Sequence, residues 1–156
     1  MADEDSTAIP YWELEAREQI RHTIISYAIA GDRGRLADLA GQFTEDGVLE
    51  VRGGDTARGR DGIIAMLSAR SDAGQPAAKP FFVRHFVTNI LVTEITPEEA
   101  QAVAYFAVFT PDGPDHWGRY RDSLVPVGRR WLLRHRSVRV DSSATGGWHQ
   151  RVHGAG

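Results

Sequence analysis

In FFVRHFVTNILV, residues 81–92, phenylalanine and β-branched residues surround a single imidazole, His85. A buried imidazole needs a hydrogen-bond partner, and when an acceptor holds one ring nitrogen as N–H, the other is free to take a proton. A carboxylate suits that place best, because it fixes the tautomer and favours the imidazolium that forms. Asp32, in GDRGRL, stands where one helix ends and the next begins, and a carboxylate at a helix end can face into a concave sheet. Such a pair can remove a proton from carbon beside a leaving group or carbonyl, giving an alkene or a shifted double bond. Two plainer roles stay open: Asp32 as N-cap of a second helix, and His85 as a core residue bonded to Thr88, Asn89 or a carbonyl. The chemistry needs no metal and no organic cofactor, and the chain has no G-x-G-x-x-G, P-loop or C-x-x-C.

Further candidates lie nearby in type or position. His116, in PDHWGRYRD, is a possible second acid or base, or a loop-edge histidine. Tyr27 precedes Asp32 on the first helix, and its hydroxyl can polarise a carbonyl or simply pack with a bonded tip. Strand alternation places His85, Val87, Asn89 and Leu91 on one face, expected to be the pocket, with Tyr105 able to join them from the next strand. Ile24, Ile29, Val51, Met66, Phe86, Phe106 and Trp117 favour a mostly apolar small ligand. Arg119 and Asp122 read as a surface or interface ion pair.

The elements that must position these residues follow from periodicity. Apolar Leu14, Ile20, Ile24, Tyr27 and Ala28 recur at helical spacing over 11–29, with Gly31 closing the helix. After Asp32 a shorter helix, RGRLADLAGQF, gathers Leu36, Leu39, Ala40 and Phe43 on one side. A short strand, Val48 to Arg52, and a third helix over 59–70 follow, then a loop over 71–80. Strands are expected over 81–95, 100–110, 116–127 and up to 141, joined by tight turns. Helices first and long hairpins afterwards make an α+β protein, its helices on one face of a curling antiparallel sheet that encloses a pocket. Residues 1–10 are expected to be extended or disordered, 11–141 to form the domain, and the Gly-rich 142–156 to form a flexible tail.

Composition narrows the function classes. The 156 residues suit one domain with a real core. A net charge of −3 and pI near 6.0 argue against a nucleic-acid partner, because counterion release needs a concentrated basic surface. With no cysteine there is no disulfide framework, thiolate nucleophile or cysteine metal site. The acidic start, MADEDSTAIP, is unlike a signal peptide, and no apolar run is long enough to span a membrane. A cytoplasmic protein is expected.

The order α-α-β-α-β-β-β-β, with YAIAGDRGRLADLAGQFTEDGVLEVRG, GRDGI, RHFVTN and GRYRD followed by GRRWLLRHR, resembles the NTF2-like (cystatin-like cone) superfamily. In particular it resembles the SnoaL-like branch that includes scytalone dehydratase and hexachlorocyclohexane dehydrochlorinase. Those lyases carry an aspartate just after the first helix and a histidine in the strand after the third, so the resemblance maps Asp32 and His85 onto a catalytic dyad. It also implies a histidine on a neighbouring strand, for which His116 is the candidate. The likeness has gaps: Gly31 and Val51 stand where the dehydratase sets tyrosines, and AIAG where the dehydrochlorinase has a basic residue. Scytalone and haloalkanes are therefore not expected as substrates. The resemblance implies a cofactor-free lyase or isomerase acting on a small hydrophobic, cyclic or polyketide-like compound. A binding or assembly module of the same fold, or a polyketide cyclase or epoxide hydrolase, is the alternative. A homodimer or homotrimer is expected to cover apolar outer-sheet residues Leu124, Val125, Leu132 and Val138.

Overall fold

The computed structural model describes residues 8–74 and 81–153. Most of the N-terminus expected to be extended, part of the loop before the second half, and the last three residues of the tail lie outside the described residues.

Helix α1 (Tyr11–Asp32) buries Ala16, Ile20, Thr23, Ile24, Tyr27, Ala28 and Ala30, a stripe set by helical spacing. Leu14, expected on that stripe, is exposed. Gly31 does not end the helix. The turn is made by Gly34 at φ 66, where Arg35 N–H reaches back to the Ala30 carbonyl at 2.9 Å. Asp32 is therefore the last residue of α1 rather than the cap of α2 (Leu36–Ala40), whose N-cap position is Arg35 without a side-chain bond. Helix α2 is shorter than the sequence suggests, because Phe43 already opens strand β1 (Phe43–Val51).

Strand β2 (Thr56–Arg58), helix α3 (Gly59–Gly74) and strands β3 (Arg84–Ile95), β4 (Ala100–Thr110), β5 (Gly113–Val127) and β6 (Arg130–Ser143) follow. They form one curved, unclosed six-stranded sheet in the order β2-β1-β6-β5-β4-β3. Every neighbouring pair is antiparallel except β1 and β6, which run parallel and join the first half of the chain to the last strand. The concave face carries alternate residues of β4 and β5: Ala102, Ala104, Phe106 and Val108, then Gly118, Tyr120, Asp122 and Leu124, all buried. Thr23 fastens α1 to this sheet, its Oγ1 donating to the Trp131 carbonyl at 2.6 Å.

Two expectations about faces are corrected. Leu124 and Leu132 are buried and Val125 and Val138 half-buried, so they are not an exposed outer patch. The outer face instead presents Phe86, Leu91, Tyr105 and Trp117. In β3 the alternation breaks at a bulge between Thr88 and Leu91, where Asn89 takes φ 53. Asparagine tolerates that left-handed geometry, and the extra residue moves the inward positions from His85 and Val87 to Ile90 and Val92. Asn89 and Leu91 consequently face away from the pocket.

The segment after β6 also departs from expectation. Residues Trp148–His153 form a short helix, α4, that folds back over the open end of the sheet. Its anchor is Asp115 on β5, whose Oδ1 accepts the Trp148 N–H at 2.5 Å and whose Oδ2 accepts the His149 N–H at 3.0 Å. Gly147 permits this approach, since a Cβ there would lie 2.6 Å from Asp115 Oδ1.

Candidate active site

Helices α1 to α4 and the concave sheet enclose a cavity of about 170 Å³. That is near the roughly 150 Å³ of an apolar cavity known to admit benzene, so there is room for about one ring. The sequence candidates His85, His116, Tyr27, Val51 and Phe106 line it. Tyr105 and Trp117 do not: as odd-numbered residues of β4 and β5 they emerge on the outer face, 56% and 41% exposed, where a shallow hollow lies between them and Phe86. Asn89 is exposed at the bulge and accepts a bond from Thr88 at 3.0 Å.

At the wall of the cavity, Asp32 holds His85 by ring and backbone together. Its Oδ1 lies 2.6 Å from His85 Nδ1, and its Oδ2 accepts the His85 backbone N–H at 2.9 Å. A carboxylate only accepts, so Nδ1 carries the hydrogen, and in the neutral ring Nε2 is the nitrogen with the free lone pair. The contact closes 53 residues of chain, joining the end of α1 to the start of β3; the Asp32 side chain is largely buried and the His85 ring partly so. Chemically, such an arrangement can hold an imidazole in one orientation and one tautomer.

A second pair opens onto the same cavity. His116 Nδ1 lies 2.8 Å from Asp115 Oδ2, the carboxylate that also anchors α4. Loss of water on burial lowers the His116 pKa to about 4, outweighing the favourable Asp115 contact, while His149 and His85 push the same way. The unfolded chain, with histidine near 6.5, binds a proton that the folded chain refuses. The stability contributed by this neutral ring is therefore complete above about pH 6.5 and is lost as pH falls from there to about 4. The expected loss is about 3 kcal/mol. Urea unfolding across that range measures it, and His116→Asn is expected to flatten the profile.

Residues that sequence reasoning passed over complete the walls. Tyr120 lines the cavity and stacks on Phe106 with centroids 4.7 Å apart. Its signal was the even-position parity it shares with His116 on β5. Behind it Arg136 is sandwiched between Tyr27 and Tyr120, its guanidinium carbon 4.2 Å and 4.1 Å from the two ring centres. Burial raises the pKa of both phenols, so both are neutral donors at the cavity floor. Arg119 does not pair with Asp122, as the sequence suggested; it bonds Asp141, while Asp122 holds Arg136. Arg70 of α3 and Trp148, His149 and His153 of α4 close the mouth. His149 stacks on His116 at 4.5 Å and lies tilted against His153 at 4.6 Å, and burial lowers the pKa of both His149 and His153.

A six-stranded curved sheet closed by helices over an apolar cavity defines a protein of the cystatin-like, NTF2-like cone class. The chain belongs to the SnoaL-like domain family, whose sequence pattern matches residues 12–137. No curated protein matches it. An NTF2-like protein with a cystatin-like fold from Novosphingobium aromaticivorans is 25% identical with a TM-score of 0.71, covering 94% of this chain and 96% of that one. A provisionally named scytalone dehydratase from the same species is 21% identical with a TM-score of 0.71, covering 84% of this chain and 87% of that one, a likeness of fold alone. A Catenulispora acidiphila protein solved in complex with S-DNPA is 28% identical with a TM-score of 0.69, covering 80% of this chain and 92% of that one. Among the described residues no helix is long and apolar enough to cross a membrane.

Proposed function

We propose that the protein is a cofactor-independent lyase or isomerase of the dehydratase kind, acting on a small hydrophobic, cyclic or polyketide-like compound. One observation carries the reading: the 2.6 Å contact of Asp32 with His85 Nδ1 at the wall of a largely apolar cavity. In the proposed step His85 Nε2 takes a proton from carbon beside a carbonyl, and the C–H electron pair moves into the enolate. Collapse of the enolate then either expels a hydroxyl from the next carbon, which takes the proton from His85 and leaves as water, or takes that proton back at a new carbon, and either course returns His85 to its neutral form. In this reading Tyr27 and Tyr120, neutral phenols that line the cavity, donate to the developing enolate oxygen. His116, neutral with Nδ1 held by Asp115, accepts a hydrogen bond from a substrate hydroxyl.

The outer hollow between Phe86, Tyr105 and Trp117 supports a homodimer or homotrimer through that face, in a cytoplasmic protein. Sedimentation that gives a monomer at every concentration removes this part of the reading.

The test of the functional assignment begins with ligand. Mass spectrometry of small molecules released from the purified protein is expected to yield a cyclic carbonyl or hydroxyl compound. S-DNPA, the ligand of the Catenulispora protein, is the first probe for binding. If nothing co-purifies, and neither S-DNPA nor any cyclic ketone perturbs the cavity resonances, the enzyme reading fails and the assembly module takes its place.

A further inference from the structure

The cavity's ionisable lining is one-sided. Four histidines, two tyrosines and Arg70 face it, and neither aspartate nor glutamate is among its lining residues. Asp32 and Asp115 stand behind their histidines and are engaged there. At the mouth, two hydrogen-bond donors lack any acceptor among the described residues: Arg70 Nε and Trp148 Nε1, both buried atoms of side chains that line the cavity. Arg70 has one partner among those residues, an Asp55 carboxylate 3.2 Å from Nη2, and that carboxylate is 73% exposed, so the pair is a weak surface contact. A buried donor without an acceptor carries a desolvation cost that a ligand oxygen would relieve.

We infer that the mouth of the cavity, between Arg70 and Trp148, receives an anionic oxygen group of the ligand, so that the compound bound here is a ring acid rather than a neutral ring. The inference rests on reading this cavity as the substrate pocket, and it adds the ligand's orientation: carboxylate at the α3–α4 mouth, reacting carbon toward His85. The guanidinium supplies directed donors to the carboxylate and the indole supplies one more, a charge-assisted arrangement stronger than neutral bonds. The Arg70 charge is felt by His149 and His153, whose protonation it opposes.

The test uses matched pairs sized for the cavity, benzoate against benzamide and cyclohexanecarboxylate against its amide, titrated by calorimetry. The Trp148 indole N–H resonance is followed by NMR. The acids are expected to bind about 10-fold more tightly than the amides, the equivalent of one good charge-assisted bond. The indole resonance is expected to move farther downfield with the acid than with its amide. Arg70→Met is expected to abolish the preference by weakening the acids far more than the amides, and Trp148→Phe to weaken the acids with the fold intact by circular dichroism. Acetate at equal concentration is the control for a free anion and is expected to bind far more weakly than either ring acid. Equal affinity for acid and amide, a preference that survives Arg70→Met, or no binding of either acid at millimolar concentration overturns the inference. His85→Ala keeps the acid preference, so failure of the catalytic reading, seen as lack of turnover in the wild type, is distinguishable from failure of this one.

Discussion

Replacing His85 by alanine is expected to reduce turnover of any substrate by about 10²–10⁴-fold, the range that removal of a positioned general base produces. The fold should tolerate the change, because the ring is only partly buried and Asp32 retains the His85 backbone N–H as a partner. Asp32→Asn is the sharper variant. The amide oxygen can still accept the backbone N–H, but the amide nitrogen would then face Nδ1 and donate to it. The ring hydrogen would move to Nε2, and the lone pair facing the cavity would be gone. A comparable loss of turnover with near-native stability is therefore expected from a substitution that adds or removes almost no volume. Asp32→Ala differs: it leaves the His85 N–H and ring nitrogen without their acceptor, with an expected stability loss of about 1.5–3 kcal/mol. Turnover and urea midpoints measured on the three variants together separate orientation of the base from structural support.

The largest effect on stability is expected at Asp122. Its carboxylate holds Arg136 through two bonds, Nε to Oδ1 at 2.8 Å and Nη2 to Oδ2 at 2.6 Å, and the two residues are 2% and 0% exposed. Burial alone would favour loss of the guanidinium proton, but the adjacent carboxylate more than offsets this and holds the Arg136 pKa above its usual value. Asp122→Leu would leave a full positive charge in the core between two aromatic rings. The expected cost is about 3–5 kcal/mol, a large share of the stability of a domain this size. The double variant Asp122→Leu with Arg136→Met removes both charges and is expected to recover most of that loss. Thermal unfolding of the single and double variants decides the matter. A single variant as stable as the parent would mean that water reaches Arg136 in solution.

How far these residues could be read from the chain depends on local pattern. His85 stood out because an imidazole in an apolar strand requires a partner, and Asp32 through the resemblance to lyases that carry an aspartate just after the first helix, since from its own surroundings it reads equally as a helix cap. Their contact across 53 residues is a matter of sheet curvature and of where α1 stops, which Gly34 decides and Gly31 does not. Asn89 misled through a bulge: alternation is reliable only while every residue pairs, and one left-handed asparagine reversed the faces beyond it. Tyr105 was placed by carrying the alternation of β3 onto the next strand and Trp117 by type, whereas the parity of β4 and β5 themselves sends both outward.

Arg136 was hidden for a different reason. In RRWLLRHRSVRV a charged residue in a strand reads as solvent-facing, and only the cross-strand register, Asp122 opposite Arg136, gives its charge a reason to be inside. The tail was read from composition. Glycines there suggested mobility, but Gly147 is what allows the chain to approach Asp115 closely enough for α4 to dock.

The central claim, that His85 takes a proton from carbon inside the cavity, is tested most directly by deuterium wash-in. Cyclic ketones that bind the protein are incubated in deuterium oxide, and label at the carbon beside the carbonyl is counted by mass spectrometry. The wild-type protein is expected to introduce deuterium there well above the buffer rate, while His85→Ala and Asp32→Asn fall to that rate. Equal exchange by wild type and His85→Ala, or no exchange with any compound shown to occupy the cavity, would contradict the account.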